Sequence, residues 1–358
     1  MQTSVAGSAE HDGAVQETAS DASLCKHSAS QLGYYADPFV QFFVKSPSRR
    51  MPLINRGYYA RVAAIESLVY KFLASGDDTV SSAETTSPKK QVVILGAGLD
   101  TMFFRLQTAG KLAHCEYFEL DFPDVTMQKV SAIKRRKPLN SLLGLSAPKD
   151  LMAAVSSGTR ANLSSAPVWR YTELNVPGYH LLPCDLRDLE GTRAKLEAAG
   201  IDRNAPTLFV SECVLIYMEA RFSTQLVAWA ASYFDDVSFA LYEQILPDDA
   251  FGRVMMTNIK ARGCDLLSIR DFPTVDAQVA RFTEHQFDVA QCWDMNKIYY
   301  HYLDAAERAK YVPPACDARN LEIFDELEEF HLLQAHYCIV VACKVASTAA
   351  ARALALGE

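Results

Sequence analysis

The sequence has no run of eighteen apolar residues, and its first thirty residues hold no apolar signal core. Neither membrane insertion nor secretion is expected, and the cytoplasm is the default location. CxxC pairs are absent too. The nine cysteines, at 25, 115, 184, 213, 264, 292, 316, 338 and 343, fit reduced thiols and small core hydrophobes better than disulfides or a zinc site. Cationic excess is lacking: a net charge of −8 over 358 residues argues against a broad nucleic-acid surface, which needs clustered Lys and Arg. No Ser-His-Asp set, Cys-His nucleophile pair, P-loop, spaced His ligands or internal repeat stands out, so no metal is expected. One stretch lacks acids. Between Asp37 and Glu66, Lys45, Arg49, Arg50, Arg56 and Arg61 interleave with Phe39, Phe42, Phe43, Tyr58 and Tyr59. Such a segment in an acidic protein invites an anionic partner; the plain alternative is a solvated arm balancing local charge.

What is present centres on Gln91-Val-Val-Ile-Leu-Gly-Ala-Gly-Leu-Asp-Thr101 and, further on, Tyr117-Phe-Glu-Leu-Asp-Phe-Pro123. The pattern reads as strand, glycine turn, helix, strand. Gly96 and Gly98 let the backbone turn tightly and approach a ligand, while Glu119 and Asp121 end the next strand, where ribose hydroxyls are commonly gripped. A dinucleotide fingerprint would carry a third glycine where Thr101 sits, so the motif points to adenosine without a pyrophosphate.

Hydrophobic content of 49% and charged content of 22% are those of a soluble globular protein, and 358 residues could hold one large α/β domain or two small ones. Residues 1–22, poor in large apolar groups, are expected to form a disordered tail. Helical spacing of Val62, Ile65, Leu68, Val69 and Phe72 predicts a helix over 58–74, with a loop over 76–89. Strands are expected near 91–95, 115–120, 179–183, 206–211 and 237–243, alternating with helices in a mostly parallel sheet. Two more, at 287–293 and 336–344, are read as a terminal hairpin on the sheet edge. The run Lys134-Arg-Arg-Lys137 reads as a solvated helix face. Glu322, Asp325, Glu326, Glu328 and Glu329 read as an exposed one, with Leu321, Phe324, Leu327 and Phe330 inward.

Ligands of an open parallel sheet sit at the carboxyl ends of its strands, so those tips are the places to inspect. They carry Gly96 and Gly98, then Glu119 and Asp121, then Asp185 with Leu186, then Glu212, and a fifth carries Glu243 with Gln244. A single acid of this kind is as well explained by a cap or turn; recurrence at every tip is harder to explain so. Asp121 suits ribose hydroxyls, and Asp185 with the Leu186 backbone suits the adenine edge. A ligand α-carboxylate would need a cation, for which Arg61 is the candidate.

On these pieces the chain resembles the leucine carboxyl methyltransferases. The resemblance is carried by Asp21–Lys26, Ile54–Val62, Leu95–Thr101, Tyr117–Pro123, Cys184–Leu189, Ser211–Met218 and Tyr242–Gln244. It implies a Rossmann-like class I fold dependent on S-adenosyl-L-methionine, with a seven-stranded, mostly parallel sheet whose last strand is antiparallel. It implies that Lys26, Arg61, Gly96, Asp121, Asp185, Leu186 and Glu212 contact the methyl donor, Arg61 through the methionine carboxylate, and that Tyr217 lies beside the site. The expected partner is the protein phosphatase 2A catalytic subunit, methylated on its C-terminal leucine by a monomeric enzyme. The expected organisation is one methyltransferase domain over 23–346, with a helical cap over 23–90, substrate-lid insertions over 132–175 and 246–280, and a flexible tail over 347–358. No catalytic base is expected. A related branch methylates a tRNA base and carries a C-terminal repeat domain not found in these residues. A small-molecule methyltransferase, an inactive phosphatase-binding regulator and an adenosine-dependent oxidoreductase are the other readings.

Overall fold

The computed structural model describes residues 4–75, 89–145, 155–157, 171–305, 322–345 and 354. The loop expected over 76–89 lies outside the described residues up to 88, as does the tail 347–358 apart from residue 354. Among the described residues, nine strands form one sheet: β1 (Lys90–Leu95), β2 (Cys115–Asp121), β3 (Val155–Ser157), β4 (Tyr171–Val176), β5 (Tyr179–Pro183), β6 (Thr207–Glu212), β7 (Val237–Gln244), β8 (Val289–Asp294) and β9 (Tyr337–Cys343). Their order is β3-β4-β5-β2-β1-β6-β7-β9-β8. Strands β5, β2, β1, β6 and β7 are mutually parallel. Strand β9 is antiparallel to both its neighbours. The expected seven-stranded sheet is therefore present, and β3 and β4, from the 132–175 segment, extend its far edge as an antiparallel pair, with β4 antiparallel to β5.

The two expected late strands do form an antiparallel pair at the sheet edge. Strand β9 inserts between β7 and β8 and leaves β8 as the edge. Its sequence fits that place: Cys338 to Cys343 are buried on both faces, whereas β8 exposes Gln291.

Both faces of the sheet are covered because its central strands are apolar on both sides. Phe72, Phe104, Tyr117 and Tyr179 belong to one core layer, and Phe118, Phe209, Phe234 and Phe239 to the other. Helix α2 (Pro52–Ala74) starts before Tyr58, with Pro52 in its first turn, where a missing amide hydrogen costs nothing. The stripe Val62, Ile65, Leu68, Val69 and Phe72 is buried as its spacing predicts. Further helices relevant to the site are α3 (Met102–Thr108), α4 (Pro123–Arg135), α5 (Lys137–Leu142), α6 (Leu189–Ala198), α7 (Ala220–Tyr233), α8 (Ala250–Lys260), α9 (Val275–Thr283) and α10 (Leu327–Ala335).

The disordered tail is a correction. Residues Ser4–Gln31 form one helix, α1, whose first half crosses the carboxyl end of the sheet. Its composition cannot bury a large apolar stripe, but small side chains let it lie close to backbone and its polar groups find tertiary partners. Ala19 packs over Gly98, Asp12 pairs with Arg187, and His11 Nε2 lies 3.2 Å from the Tyr217 carbonyl. The charged runs fared differently. Arg135, Arg136 and Lys137 are exposed as expected. Glu322, by contrast, is buried and accepts from Tyr34 (3.1 Å), Asn55 (2.9 Å) and Arg49 (2.8 Å). The acidic helix begins only at Leu327, which points outward, while Phe330 points in and Leu321 lies outside the described residues.

Candidate active site

A cavity of about 1050 Å³ opens at the carboxyl ends of β1, β2, β5, β6 and β7, between the sheet, α1, α2 and α8. Its floor is the glycine turn. Gly96 and Gly98 adopt φ of 61° and 54°, left-handed values that favour glycine. A Cβ at Gly96 would come within 2.5 Å of Val214 Cγ2, so the turn has no room for a side chain there. Asp121 locks this turn to β2: its carboxylate accepts from the Gly98 amide at 2.6 Å and the Phe122 amide at 2.7 Å. Burial pushes the Asp121 carboxyl up to about 6, partly offset by those two amides. Lone pairs remain on both oxygens for hydroxyl donors in the cavity.

Glu119, expected beside Asp121, lies below the cavity and is not part of its lining. Its carboxylate meets Lys129 Nζ at 2.5 Å and the Tyr179 hydroxyl at 2.7 Å, and it is 1% exposed. Two positions back along a strand is the same face but one layer deeper, and that layer is core.

A buried ionic quartet forms the next wall. Lys26 Nζ, from α1, lies 2.5 Å from Asp100 and 3.7 Å from Glu212, while Arg61 Nε, from α2, donates to Glu212 at 2.5 Å. Burial works against the charge on both acids, but the neighbouring cations outweigh it and hold both carboxyls below their ordinary range. For Asp100 these are Lys26 and Arg105, and for Glu212 Lys26 and Arg61. Arg61 also sits 4.8 Å from the ring centre of Tyr242.

Asp185 and Leu186 follow β5 and line the cavity's other end. The Asp185 carboxylate takes Arg187 Nε at 2.9 Å, and Arg187 reaches across to Asp12 of α1 at 2.7 Å. Burial raises the Asp185 carboxyl, and Arg187 more than reverses that. Tyr217 ends the turn Leu215–Tyr217 after β6; with Tyr58, Tyr242 and Tyr337 it makes a tyrosine wall. Burial drives all four phenols up, so at neutral pH they are donors and not bases. Entry to that turn is strained: Cys213 has φ of 56°, its amide fixed on the Tyr242 carbonyl at 2.7 Å.

The structure thus brings Lys26, Arg61, Gly96, Gly98, Asp121, Asp185, Leu186, Glu212 and Tyr217 to one cavity and leaves out Glu119. Sequence reasoning missed Asp100, although it lies within the glycine motif, along with Tyr58, Tyr242 and Tyr337 as walls. It had no signal for the Asp12–Arg187 clasp, which spans 175 positions.

This sheet order, with a polar rim of nucleoside dimensions, defines the class: an S-adenosylmethionine-dependent methyltransferase. The chain belongs to the leucine carboxyl methyltransferase family, whose model matches residues 14–231. It is 40% identical over 338 residues to the leucine carboxyl methyltransferase 1 homolog of Arabidopsis thaliana, covering 94% of this chain and 91% of that protein. It is 36% identical over 341 residues to leucine carboxyl methyltransferase 1 of Caenorhabditis elegans, covering 94% and 92%. The human tRNA wybutosine-synthesizing protein 4 is 37% identical over 332 residues, covering 93% of this chain but only 44% of that protein.

Proposed function

We propose that the protein methyl-esterifies the C-terminal leucine carboxylate of the protein phosphatase 2A catalytic subunit, acting in the cytoplasm and thereby regulating phosphatase assembly. The observation that carries this reading is the ionic quartet facing a wall of four tyrosines whose phenols, pushed up by burial, are unsuited to proton abstraction. S-adenosylmethionine, when bound, supplies an electrophilic methyl on a sulfonium centre. The residues fit it: the backbone at Gly96 and Gly98 leaves space for the sugar and tail, Asp121 accepts from ribose hydroxyls, and Asp185 with the Leu186 amide reads the adenine edge. Arg61 and Lys26 hold the methionyl carboxylate, with Glu212 setting their positions.

A chain-end carboxylate has a pKa of roughly 3.3 to 3.7, so it is already a nucleophile at neutral pH and needs no base. The chain's task is to strip water from that anion and hold one oxygen in line with the methyl; orientation of this kind lowers barriers by about 7 to 11 kcal/mol. The tyrosine wall excludes water, and the Tyr217 hydroxyl is a donor able to orient an oxygen without deprotonating anything.

The test incubates the protein with labelled donor and the phosphatase core. Label should appear as a base-labile ester and vanish when the terminal leucine is removed. Label entering tRNA, or none entering the phosphatase, would reject the reading.

A further inference from the structure

The basic segment before Arg61 looked in sequence like one anion-guiding arm, but its cations have separate fates. Arg49 is spent on Glu322 at 2.8 Å. Arg56 is buried, its guanidinium 3.8 Å from the ring centre of Phe324. Arg61 pairs with Glu212, and Lys45 is exposed and away from the cavity lining. Arg50 differs from all of these. It is half-buried, lines the cavity beside Tyr58 and Arg61, and meets no carboxylate among the described residues. Its Nε is sheltered from solvent with no hydrogen-bond partner there. The side chain lies against the Cys25 thiol, a weak acceptor that a carboxylate would readily outcompete.

Its backbone is held on both sides. The Arg50 amide donates to Ser28 Oγ at 2.8 Å, and its carbonyl accepts from Asn55 Nδ2 at 2.9 Å, so α1 and α2 together fix where the side chain starts. Little ordering remains to be done when an anion arrives.

Charge accounting supplies the other half. Carboxyl methylation brings two carboxylates into one cavity, that of the donor's methionyl tail and that of the acceptor. Lys26 and Arg61 are paired with Asp100 and Glu212 and, on the reading above, face the donor's methionyl carboxylate, so the quartet has no cation left for the acceptor. The donor's sulfonium offsets the acceptor anion at the reacting oxygen, and a cation supplied by the chain itself would lower the desolvation penalty of bringing that anion in.

We propose that Arg50 binds the acceptor's terminal carboxylate, holding one oxygen and leaving the other free to attack; this rests on the carboxyl-methylation reading above. Arg50 is then a substrate-binding residue specific to the acceptor, separate from Arg61 and the donor.

The experiment measures methyl transfer to leucine-terminated phosphatase catalytic subunit by the full chain, R50K and R50Q, with calorimetry of S-adenosylhomocysteine on each. In R50Q the acceptor KM should rise about tenfold or more, as expected for loss of a charge-assisted bond, with the loss falling on KM more than on kcat. R50K should recover part of it, and all three should bind S-adenosylhomocysteine within about twofold of one another, which also reports an intact fold. An unchanged acceptor KM in both variants would overturn the assignment, as would a fall in S-adenosylhomocysteine affinity matching the rise in KM. A full chain that binds S-adenosylhomocysteine yet methylates no leucine-terminated protein would instead overturn the carboxyl-methylation reading on which the assignment stands.

Discussion

Glu212 and Glu243 sit near the tips of neighbouring parallel strands, and both looked like rim acids in sequence, yet they do opposite jobs. Glu212 pairs in register with Tyr242, so these two share a face, and that face is the cavity. Glu243 is one residue further on and therefore points through to the other side. There it is fully buried, taking Arg281 Nη1 at 2.9 Å and the Ile216 amide at 2.7 Å. Burial raises the Glu243 carboxyl, and Arg281 opposes that. Two buried Arg–Glu pairs on adjacent strands thus differ in one respect: the Glu212 pair faces space, and the Glu243 pair is closed in by protein. A buried pair that faces space can take part in binding. One that is enclosed can only hold the turn it touches, here Leu215–Tyr217.

The contrast can be broken most visibly at the enclosed pair. Arg281→Ala leaves Glu243 uncompensated, and chemical denaturation should show a loss of about 3 to 5 kcal/mol. Little loss of stability, with donor binding reduced instead, would mean that Glu243 is a rim residue after all. At the open pair the effect should move to binding. Arg61→Ala should weaken S-adenosylhomocysteine by about 1.5 to 3 kcal/mol, roughly ten- to a hundredfold, by calorimetry; affinity within about twofold of the parent would dismiss the carboxylate clamp.

The smallest effect separates Asp121 from the quartet by pH. Its carboxyl titrates near 6, above its ordinary value, because the fold disfavours its charge. As pH falls through 6 it becomes protonated and loses acceptor capacity, so donor affinity should drop about three- to tenfold between pH 7 and 5. Over the same interval Asp121's own contribution to folding stability should rise, since the unfolded carboxyl stays ionised down to about 4. Asp100 and Glu212 have depressed values, so the stability they lend persists above the ordinary carboxylate range and is lost only below about pH 4. A donor affinity flat from pH 7 to 5 would remove Asp121 from the ribose.

Much of the site was legible because it is local. The turn at Gly96 and Gly98, the acid at Asp121 and the acid at Asp185 each follow a strand whose apolar run marks its end, and strand ends converge once the sheet is parallel. The same logic erred at Glu119, where strand depth mattered, and at Glu243, where strand phase did. Helix α1 was illegible for another reason. Its residues carry no amphipathic pattern, and its order comes from partners such as Arg187 and Gly98, far away in sequence.

Sequence alone therefore determined the central strands, the helix after Tyr58, the glycine turn and the residue types at the rim, since these follow from periodicity and from chemistry repeated at strand ends. Tertiary structure decided which charges are used up and which are left to act. Glu322 takes Arg49, Glu212 and Arg61 stay on the cavity as a pair, and Arg50 keeps its guanidinium there too. An ion pair depends on distance and burial between segments hundreds of residues apart, and no local pattern encodes either.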